Sequence, residues 1–135
     1  MDRIRRYFDQ DQFARSLGIE LLEVSPGQAR ARMPIREQHY NSLRIVHGGA
    51  MFALADLVFA AASNSHGTSA VGINATISYV KAVSSGTLTA EATEVSRSNR
   101  LATYSIQVMD DEGAVVAAFQ GTVYRKNEPL QWATE

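Results

Sequence analysis

One carboxylate, Asp56, lies in the middle of the otherwise apolar segment 47–63, HGGAMFALADLVFAAAS. An ionised carboxylate in apolar surroundings costs several kcal/mol unless it is hydrogen-bonded or protonated. A helix that is apolar on every side should lie buried against other structure or a partner chain. We therefore interpret Asp56 as a candidate catalytic group. The alternative is that it pairs with a buried partner across a subunit interface and does no chemistry.

Two glycines, Gly48 and Gly49, open this helix, although glycine costs about 1 kcal/mol relative to alanine inside a helix. Glycines leave the backbone N–H groups open at the positive end of a helix, where an oxygen carrying negative charge is stabilised. Both residues are therefore candidate donors to a ligand oxygen.

The spacing between the glycines and the acid predicts a subunit interface. Asp56 follows Gly48 by eight residues, which is about 12 Å along a helix axis. An acyl group whose carbonyl oxygen is bound at Gly48 therefore cannot be attacked from Asp56 of the same helix. Two such helices packed antiparallel in a two-fold dimer would bring each Asp56 beside the other chain's Gly48. We predict composite sites shared between the subunits of a homo-oligomer.

Composition excludes several classes of protein. The net charge of −1 leaves no basic excess to neutralise phosphates, so we expect no nucleic-acid partner. The absence of cysteine removes disulfides, thiol nucleophiles and thiolate metal sites, and it fits a reducing cytoplasm. Three scattered histidines form no metal set, so no metal site is predicted. The charged N-terminal segment is no signal peptide and no apolar run spans a bilayer, so we expect a cytoplasmic protein without a membrane partner.

Apolar periodicity and turn residues divide residues 1–135 into the elements of a single domain. We predict an N-terminal helix over 2–16, a loop over 36–46 and the long helix from 47 to about 65, and we expect residues 127–135 to fray. The predicted strands span 19–24, 28–35, 70–80, 87–96, 101–110 and 114–126. Short antiparallel connections indicate an α+β fold in which one curved sheet wraps around the long central helix.

Several motifs resemble those of hotdog-fold acyl-CoA thioesterases, in the branch similar to the phenylacetic acid degradation thioesterase (PaaI-like). They are Ser16-Leu17-Gly18-Ile19, Asn41, His47-Gly48-Gly49, Leu54-Ala55-Asp56, Asn64-Ser65-His66-Gly67 and Thr76-Ile77-Ser78-Tyr79. The specific part is an asparagine six residues before His47 and an acid nine residues after it. The resemblance implies a hotdog domain, a homotetramer built as a dimer of dimers packed back to back or face to face, and hydrolysis of an acyl-CoA thioester.

The resemblance also implies roles for four residues. Asp56 resembles the catalytic acid, acting as a nucleophile or as a general base on water, and the sequence leaves both routes open. Gly48 resembles the residue whose N–H polarises the thioester carbonyl. Asn41 and His47 resemble the pair that orients the loop and the thioester or the leaving thiolate. For Asn41 the alternative is an Asx turn, and for His47 it is a catalytic base, which the helix dipole at its position disfavours.

One position departs from the family pattern. Some relatives hold the attacking water with a serine or threonine early in the strand after the helix, where this chain has Gly72. Asn74 and Thr76 lie nearby, and the sequence leaves open which face of the strand they occupy. The group that positions the water is therefore not predicted.

Coenzyme A carries phosphates, so cationic and N–H groups should bind it if the resemblance holds. No separate cofactor is expected, because coenzyme A is part of the substrate. The candidate groups at the helix start, strand ends and turns are Gly49, Lys81, Arg97, Ser98 and Arg100, with Arg125 and Lys126 as weaker candidates.

The function predicted on this basis is hydrolysis of an aryl or medium-chain acyl-CoA. Two alternatives stay open. A non-catalytic acyl-CoA or acyl-carrier binding module would use the same tunnel without turnover. A hotdog dehydratase or hydratase would pair an acid with a catalytic histidine, which the placement of His47 in a glycine turn weakens.

Overall fold

A six-stranded antiparallel sheet and one long helix make up most of the structure, a computed structural model that describes residues 1–130. The helices are α1 (Asp2–Phe8), α2 (Gln12–Ser16) and α3 (Gly48–Ser63). The strands are β1 (Glu20–Ser25), β2 (Gln28–Pro34), β3 (Thr68–Tyr79), β4 (Thr87–Arg97), β5 (Leu101–Met109) and β6 (Val115–Pro129). These elements confirm the predicted α+β class.

The sheet has the strand order β1-β2-β4-β5-β6-β3, and each neighbouring pair is antiparallel. The alternation of buried and exposed residues along β5 shows its inward face, which carries Ala102, Tyr104, Ile106 and Val108. Strands β1 and β3 form the two edges, and β3 is hydrogen-bonded to β6 alone among the strands of residues 1–130. The helix α3 packs on the inward face and contacts all six strands, as predicted.

The N-terminal helix predicted over 2–16 is wrong as a single element, because it is divided into α1 and α2. Asp11 lies between them with extended backbone angles, and its side chain accepts a hydrogen bond of 3.0 Å from the Ala14 N–H. A polar side chain that caps a helix start competes with continuation of the preceding helix. The apolar periodicity across 2–16 does not indicate that the helix is interrupted at Asp11.

The predicted fraying of 127–135 is wrong over Asn127–Pro129, where β6 continues. This segment is held because Pro129 pairs with Thr68 at the start of β3, and the Leu130 N–H donates to the Gly67 carbonyl at 2.9 Å. The remainder of that prediction, residues 131–135, lies outside the described residues. Within residues 1–130, no helix combines the length and the apolar character that crossing a membrane requires.

Candidate active site

Within residues 1–130, the helix α3 is buried on one side only, so the expectation that other structure or a partner chain covers it all round is met by the sheet on that side alone. Asp56 is exposed in the single chain, and Phe52 and Ala60 are half-buried. These residues are four apart, so with Gly48 they form one stripe along the helix, which we call the open stripe of α3. The opposite side of α3, which includes Leu54 and Val58, is fully buried against the sheet. Within residues 1–130, the open stripe therefore lies only partly covered, with the acid at its centre.

Asp56 has an unusual electrostatic environment for an exposed acid. Its side chain reaches solvent, but the surrounding protein atoms still remove part of its hydration. This loss of hydration, and after it the negative charge of Asp11, raise the pKa of the Asp56 carboxyl above its ordinary value of 3.8. No donor in residues 1–130 is hydrogen-bonded to this carboxylate. Asp56 is therefore a stronger base than a free aspartate, and its oxygens are available to a substrate or a water.

The first backbone N–H of α3, that of Gly48, has no hydrogen-bond partner among residues 1–130. The next three N–H groups are all engaged by His47. Gly49 N–H donates to His47 Nδ1 at 2.7 Å, and the N–H groups of Ala50 and Met51 donate to the His47 carbonyl at 3.0 and 3.3 Å. The prediction that both glycines offer a free N–H is therefore wrong for Gly49. Gly48 supplies the available donor at this positive helix end.

His47 acts as the N-cap of α3. Its Nδ1 accepts the Gly49 N–H, so in the neutral imidazole the proton lies on Nε2. The backbone N–H of His47 donates to the carbonyl of the buried His39 at 2.7 Å, which fixes the chain as it enters the helix. The imidazole thus has a positioning contact in the structure, and its ring nitrogen Nδ1 is not free to act as a base.

Asn41 lies in the predicted loop before α3 and forms the Asx turn named as its alternative. Its Oδ1 accepts hydrogen bonds from the Leu43 N–H at 2.9 Å and the Ile45 N–H at 3.4 Å. The turn places Arg44 at a positive φ of 60°, and Tyr40 and Val46 are joined by a β-bridge. Asn41 therefore shapes the loop that delivers the chain to His47.

A cavity of about 520 Å³ lies beside the start of α3. Its lining residues are Asn41, Ile45, Val46, Gly48, Met51, Tyr79, Val80, Lys81 and Ala82. The lining is mainly apolar with a few polar groups, and the volume is within the range of small-molecule sites. The available Gly48 N–H is thus next to space for an apolar group.

The end of β3 faces this cavity, but its middle does not supply a water-binding side chain. Gly72 faces α3, and a Cβ there would lie 3.1 Å from the Phe59 ring. Asn74 and Thr76 pair with Thr122 and Gln120 on the outer face of the sheet, because a bulge between Gly72 and Asn74 shifts the register. Neither polar side chain therefore lies beside this chain's α3.

The candidate coenzyme A contacts are divided between the two ends of the sheet. Lys81 lines the cavity at the Gly48 end, and its ammonium pairs with the Asp110 carboxylate at 2.7 Å. Arg97 ends β4, and Ser98 and Arg100 lie in the turn that follows it, at the opposite end. The α3 helix between these ends is 16 residues long, which is about 24 Å. One chain therefore does not bring the predicted contacts together.

The groups in the β4–β5 turn also have partners of their own. The Ser98 hydroxyl donates to the Leu101 carbonyl at 3.0 Å and accepts from the Leu101 N–H at 3.2 Å. The Arg100 guanidinium lies 5.9 Å from the centre of the Tyr124 ring. Arg97 is 4.0 Å from the Glu94 carboxylate. These side chains are exposed, so a phosphate could replace or share their contacts.

Asp11 was not predicted as part of the site, and Tyr79, which the sequence offers with Phe52 and Phe59 as a candidate to line an acyl pocket, does line the cavity but was not predicted to contact Gly48. Asp11 affects Asp56 through its charge, and Tyr79 contacts Gly48. Strand alternation places Tyr79 on one face of β3, but no local pattern indicates its contact with a residue 31 positions away. Among residues 1–130, no three His, Asp or Glu side chains are arranged to hold a metal ion.

Comparison with known proteins finds consistent similarity along the chain. The family model of the thioesterase superfamily matches residues 43–117. A protein from Archaeoglobus fulgidus is 41% identical over 130 residues, covering 95% of this chain and 84% of that protein. The acyl-coenzyme A thioesterase PaaI of Escherichia coli is 34% identical over 119 residues, covering 87% of this chain and 85% of that protein.

Solved structures show the same relationship. The E. coli PaaI protein from the phenylacetic acid degradation operon aligns with a TM-score of 0.89 and 30% identity, covering 95% of this chain and 94% of that one. This likeness confirms the predicted hotdog fold, in which the sheet wraps around α3.

Proposed function

Because this chain belongs to the thioesterase superfamily, in its PaaI-like branch, we propose that it is an acyl-CoA thioesterase that hydrolyses aryl or medium-chain acyl-CoA to a free acid and CoA. The E. coli relative is an acyl-coenzyme A thioesterase, which supports the acyl-CoA part of this proposal. The mainly apolar cavity beside Gly48, of about 520 Å³, supports an acyl group of moderate size.

The observation that carries the proposal is the placement of two reactive groups on one open stripe. Gly48 has an available N–H at the positive end of α3, and Asp56 has a carboxylate with a raised pKa further along the same stripe. The eight-residue separation is about 12 Å, too far for both groups to act on one carbonyl. A second copy, packed antiparallel along the open stripe, would supply the acid to the first copy's Gly48.

The edge strand β3 supports a second copy on this side of the molecule. Its backbone has no strand partner beyond β6 in residues 1–130, and Ile73 and Tyr79 are 58% and 52% exposed. An unpaired edge with apolar side chains is suited to pairing with another chain. We propose a two-fold dimer along this edge and a dimer of dimers in solution. The proposed location is the cytoplasm, which the cysteine-free composition fits.

In the proposed reaction, the thioester carbonyl oxygen accepts a hydrogen bond from Gly48 N–H. Such a donor contributes about 3 kcal/mol or more when negative charge develops on that oxygen. Asp56 of the second copy either removes a proton from a water that attacks the acyl carbon, or attacks that carbon itself to form an anhydride that water then hydrolyses. The carbon–sulfur bond breaks in either route, and the CoA thiolate leaves and later takes up a proton.

The other predicted residues have supporting roles in this proposal. His47 caps α3 and Asn41 shapes the preceding loop, so together they present Gly48 to the substrate. Lys81 lies at the cavity, while an antiparallel second copy would bring its own turn of Arg97, Ser98 and Arg100 toward the same end. We propose that these cations bind the phosphates of CoA across the interface.

The test is release of free thiol from a panel of aryl, short, medium and long acyl-CoA esters. The protein contains no cysteine, so it adds no background to the thiol reagent. We expect Asp56→Asn to reduce kcat by about a hundredfold or more while CoA binding persists. The matched control is Glu112→Gln, which makes the same carboxylate-to-amide change at an exposed turn and should retain activity.

Two results would contradict the proposal in different ways. Wild-type activity that survives in Asp56→Asn would exclude Asp56 as the catalytic acid. No turnover of any ester by the wild type, with CoA still bound, would instead indicate the non-catalytic acyl-CoA or acyl-carrier binding module.

A further inference from the structure

The peptide unit between Gly48 and Gly49 is held at both of its polar ends. Its N–H, which belongs to Gly49, donates to His47 Nδ1 at 2.7 Å. Its carbonyl, which belongs to Gly48, accepts a hydrogen bond from the Tyr79 hydroxyl at 3.2 Å. His47 is local to the helix start, whereas Tyr79 is the last residue of β3 and reaches Gly48 from the sheet. The sheet edge is therefore linked directly to the first turn of α3.

The Tyr79 ring also occupies the place where a side chain of Gly48 would be. A Cβ on Gly48 would lie 2.9 Å from Tyr79 Cζ and 3.1 Å from Cε1 and the hydroxyl oxygen. Contacts this short do not occur between a Cβ and an aromatic ring without a shift of one of them. A side chain at position 48 would therefore require the Tyr79 ring to move, whether or not a substrate is bound.

Two consecutive glycines would otherwise leave the helix start with unusual backbone freedom. Gly48 and Gly49 have no side chains whose packing could limit their dihedral angles. The hydrogen bond to the carbonyl restricts rotation on the carbonyl side of the Gly48 Cα, and the Tyr79 ring lies against that Cα where a side chain would project. The free N–H of Gly48 is attached to that same Cα, and Gly48 and Tyr79 both line the cavity.

We propose that Tyr79 is a positioning residue for thioester hydrolysis: its ring and hydroxyl hold the Gly48 backbone so that the available N–H keeps one direction at the cavity. The inference rests on the proposed function, since the N–H matters for catalysis only if a carbonyl oxygen binds there. Electrostatic stabilisation of an oxyanion depends on a donor that is already oriented before the charge develops. Tyr79 acts through Gly48 and affects the transition state more than binding of the ester.

The first test separates kcat from KM in Tyr79→Phe, which removes the hydroxyl and keeps the ring. With the ester that the wild type hydrolyses fastest, we expect kcat to fall about three- to tenfold, in line with loss of one hydrogen bond, and KM to stay within about twofold. The matched control is Tyr40→Phe, because the Tyr40 hydroxyl also donates to a backbone carbonyl, that of Ser84, at 2.7 Å. Tyr40→Phe should keep the wild-type kcat.

The second test uses Gly48→Ala in two backgrounds. In the wild-type background the new Cβ meets the Tyr79 ring, and we expect kcat to fall by at least about tenfold. In the Tyr79→Ala background the obstacle is gone, and the same substitution should cost less than about threefold in kcat relative to Tyr79→Ala alone. Equal losses in the two backgrounds would mean that Gly48 is required for substrate access and would overturn the inference.

A third measurement does not depend on turnover. Hydrogen exchange of the Gly49 amide should be faster in Tyr79→Phe than in the wild type or in Tyr40→Phe, because one end of its peptide unit is released. Unchanged kcat in Tyr79→Phe would overturn the inference whatever the exchange rate. If the wild type hydrolyses no ester, the proposed function fails, and the exchange rates alone decide whether Tyr79 holds this peptide.

Discussion

Mixing two inactive variants should restore activity if each active site is shared between subunits. The first variant is Asp56→Asn, which removes the proposed acid. The second is Gly48→Pro, which removes the N–H while suiting the first position of a helix. The preceding His47 has φ −63° and ψ 138°, an extended conformation that a following proline favours. The backbone angles therefore suit both variants, although the proline also adds a Cβ that would meet the Tyr79 ring.

The size of the expected rescue follows from the separation of the two groups on α3. Loss of one oxyanion donor costs about a hundred- to a thousandfold in kcat, so each variant alone should be nearly inactive. The groups are about 12 Å apart in one chain, so a site needs one group from each copy. Random pairing makes half of the dimers mixed, and one of their two sites is intact. We expect about one quarter of the wild-type activity per total protein.

The assay is thiol release after the two variants are co-expressed in equal amounts. A control for steric damage is Gly48→Ala paired with Asp56→Asn, because alanine has the same Cβ contact with Tyr79 but retains the N–H. Activity of the co-expressed pair equal to the mean of the two variants alone would refute the shared site. It would also refute the inference from the spacing of Gly48 and Asp56.

Three other predictions follow from the same contacts. Asp11→Asn should move the acid limb of the pH profile of kcat/KM to lower pH, because the negative charge of Asp11 raises the pKa of Asp56. The melting temperature should stay the same, since asparagine caps a helix as well as aspartate does. Burial alone would raise the pKa of Glu94, but hydrogen bonds and nearby positive charge lower it overall, so its stabilising effect is present above the ordinary glutamate pKa of 4.5 and is lost as pH falls through the folded value. Below pH 4.5 the melting temperature should accordingly fall more steeply with decreasing pH in the wild type than in Glu94→Gln, and equal slopes would contradict this. Gly121→Ala should lower the free energy of unfolding in urea by about 1–3 kcal/mol, because its Cβ would lie 2.6 Å from the Phe59 ring, and Phe59→Leu should reduce that loss.

The elements of the fold were predicted well wherever the relevant signal is local. The start of α3 at the glycines, the six strands and the antiparallel order all follow from periodicity and turn residues over short windows. The break at Asp11 and the continuation of β6 through Pro129 were missed, because a cap and a distant strand partner decide them. Both wrong predictions concern segments near the ends of the described chain, where the periodic pattern of apolar residues is weakest.

The site was predicted only in part for a comparable reason. Residue types and spacing indicate Asp56 and Gly48, and they predict a shared site, since helix geometry converts spacing directly into distance. They do not indicate that His47 engages the Gly49 N–H, which depends on the rotamer of the capping side chain. Nor do they indicate that Lys81 and residues 97–100 lie at opposite ends of the sheet. Strand order decides which strand ends are neighbours.

Local sequence therefore accounts for the proposed acid, the proposed oxyanion donor and the family to which the chain belongs, because each depends on residues near one another in the chain. The folded chain decides which side of α3 stays open, which face of β3 carries Asn74 and Thr76, and which aromatic ring lies against Gly48. These depend on strand register, where a bulge of one residue moves side chains to the opposite face of the sheet. Register is set by pairing between distant segments, and a local window of sequence does not contain that information.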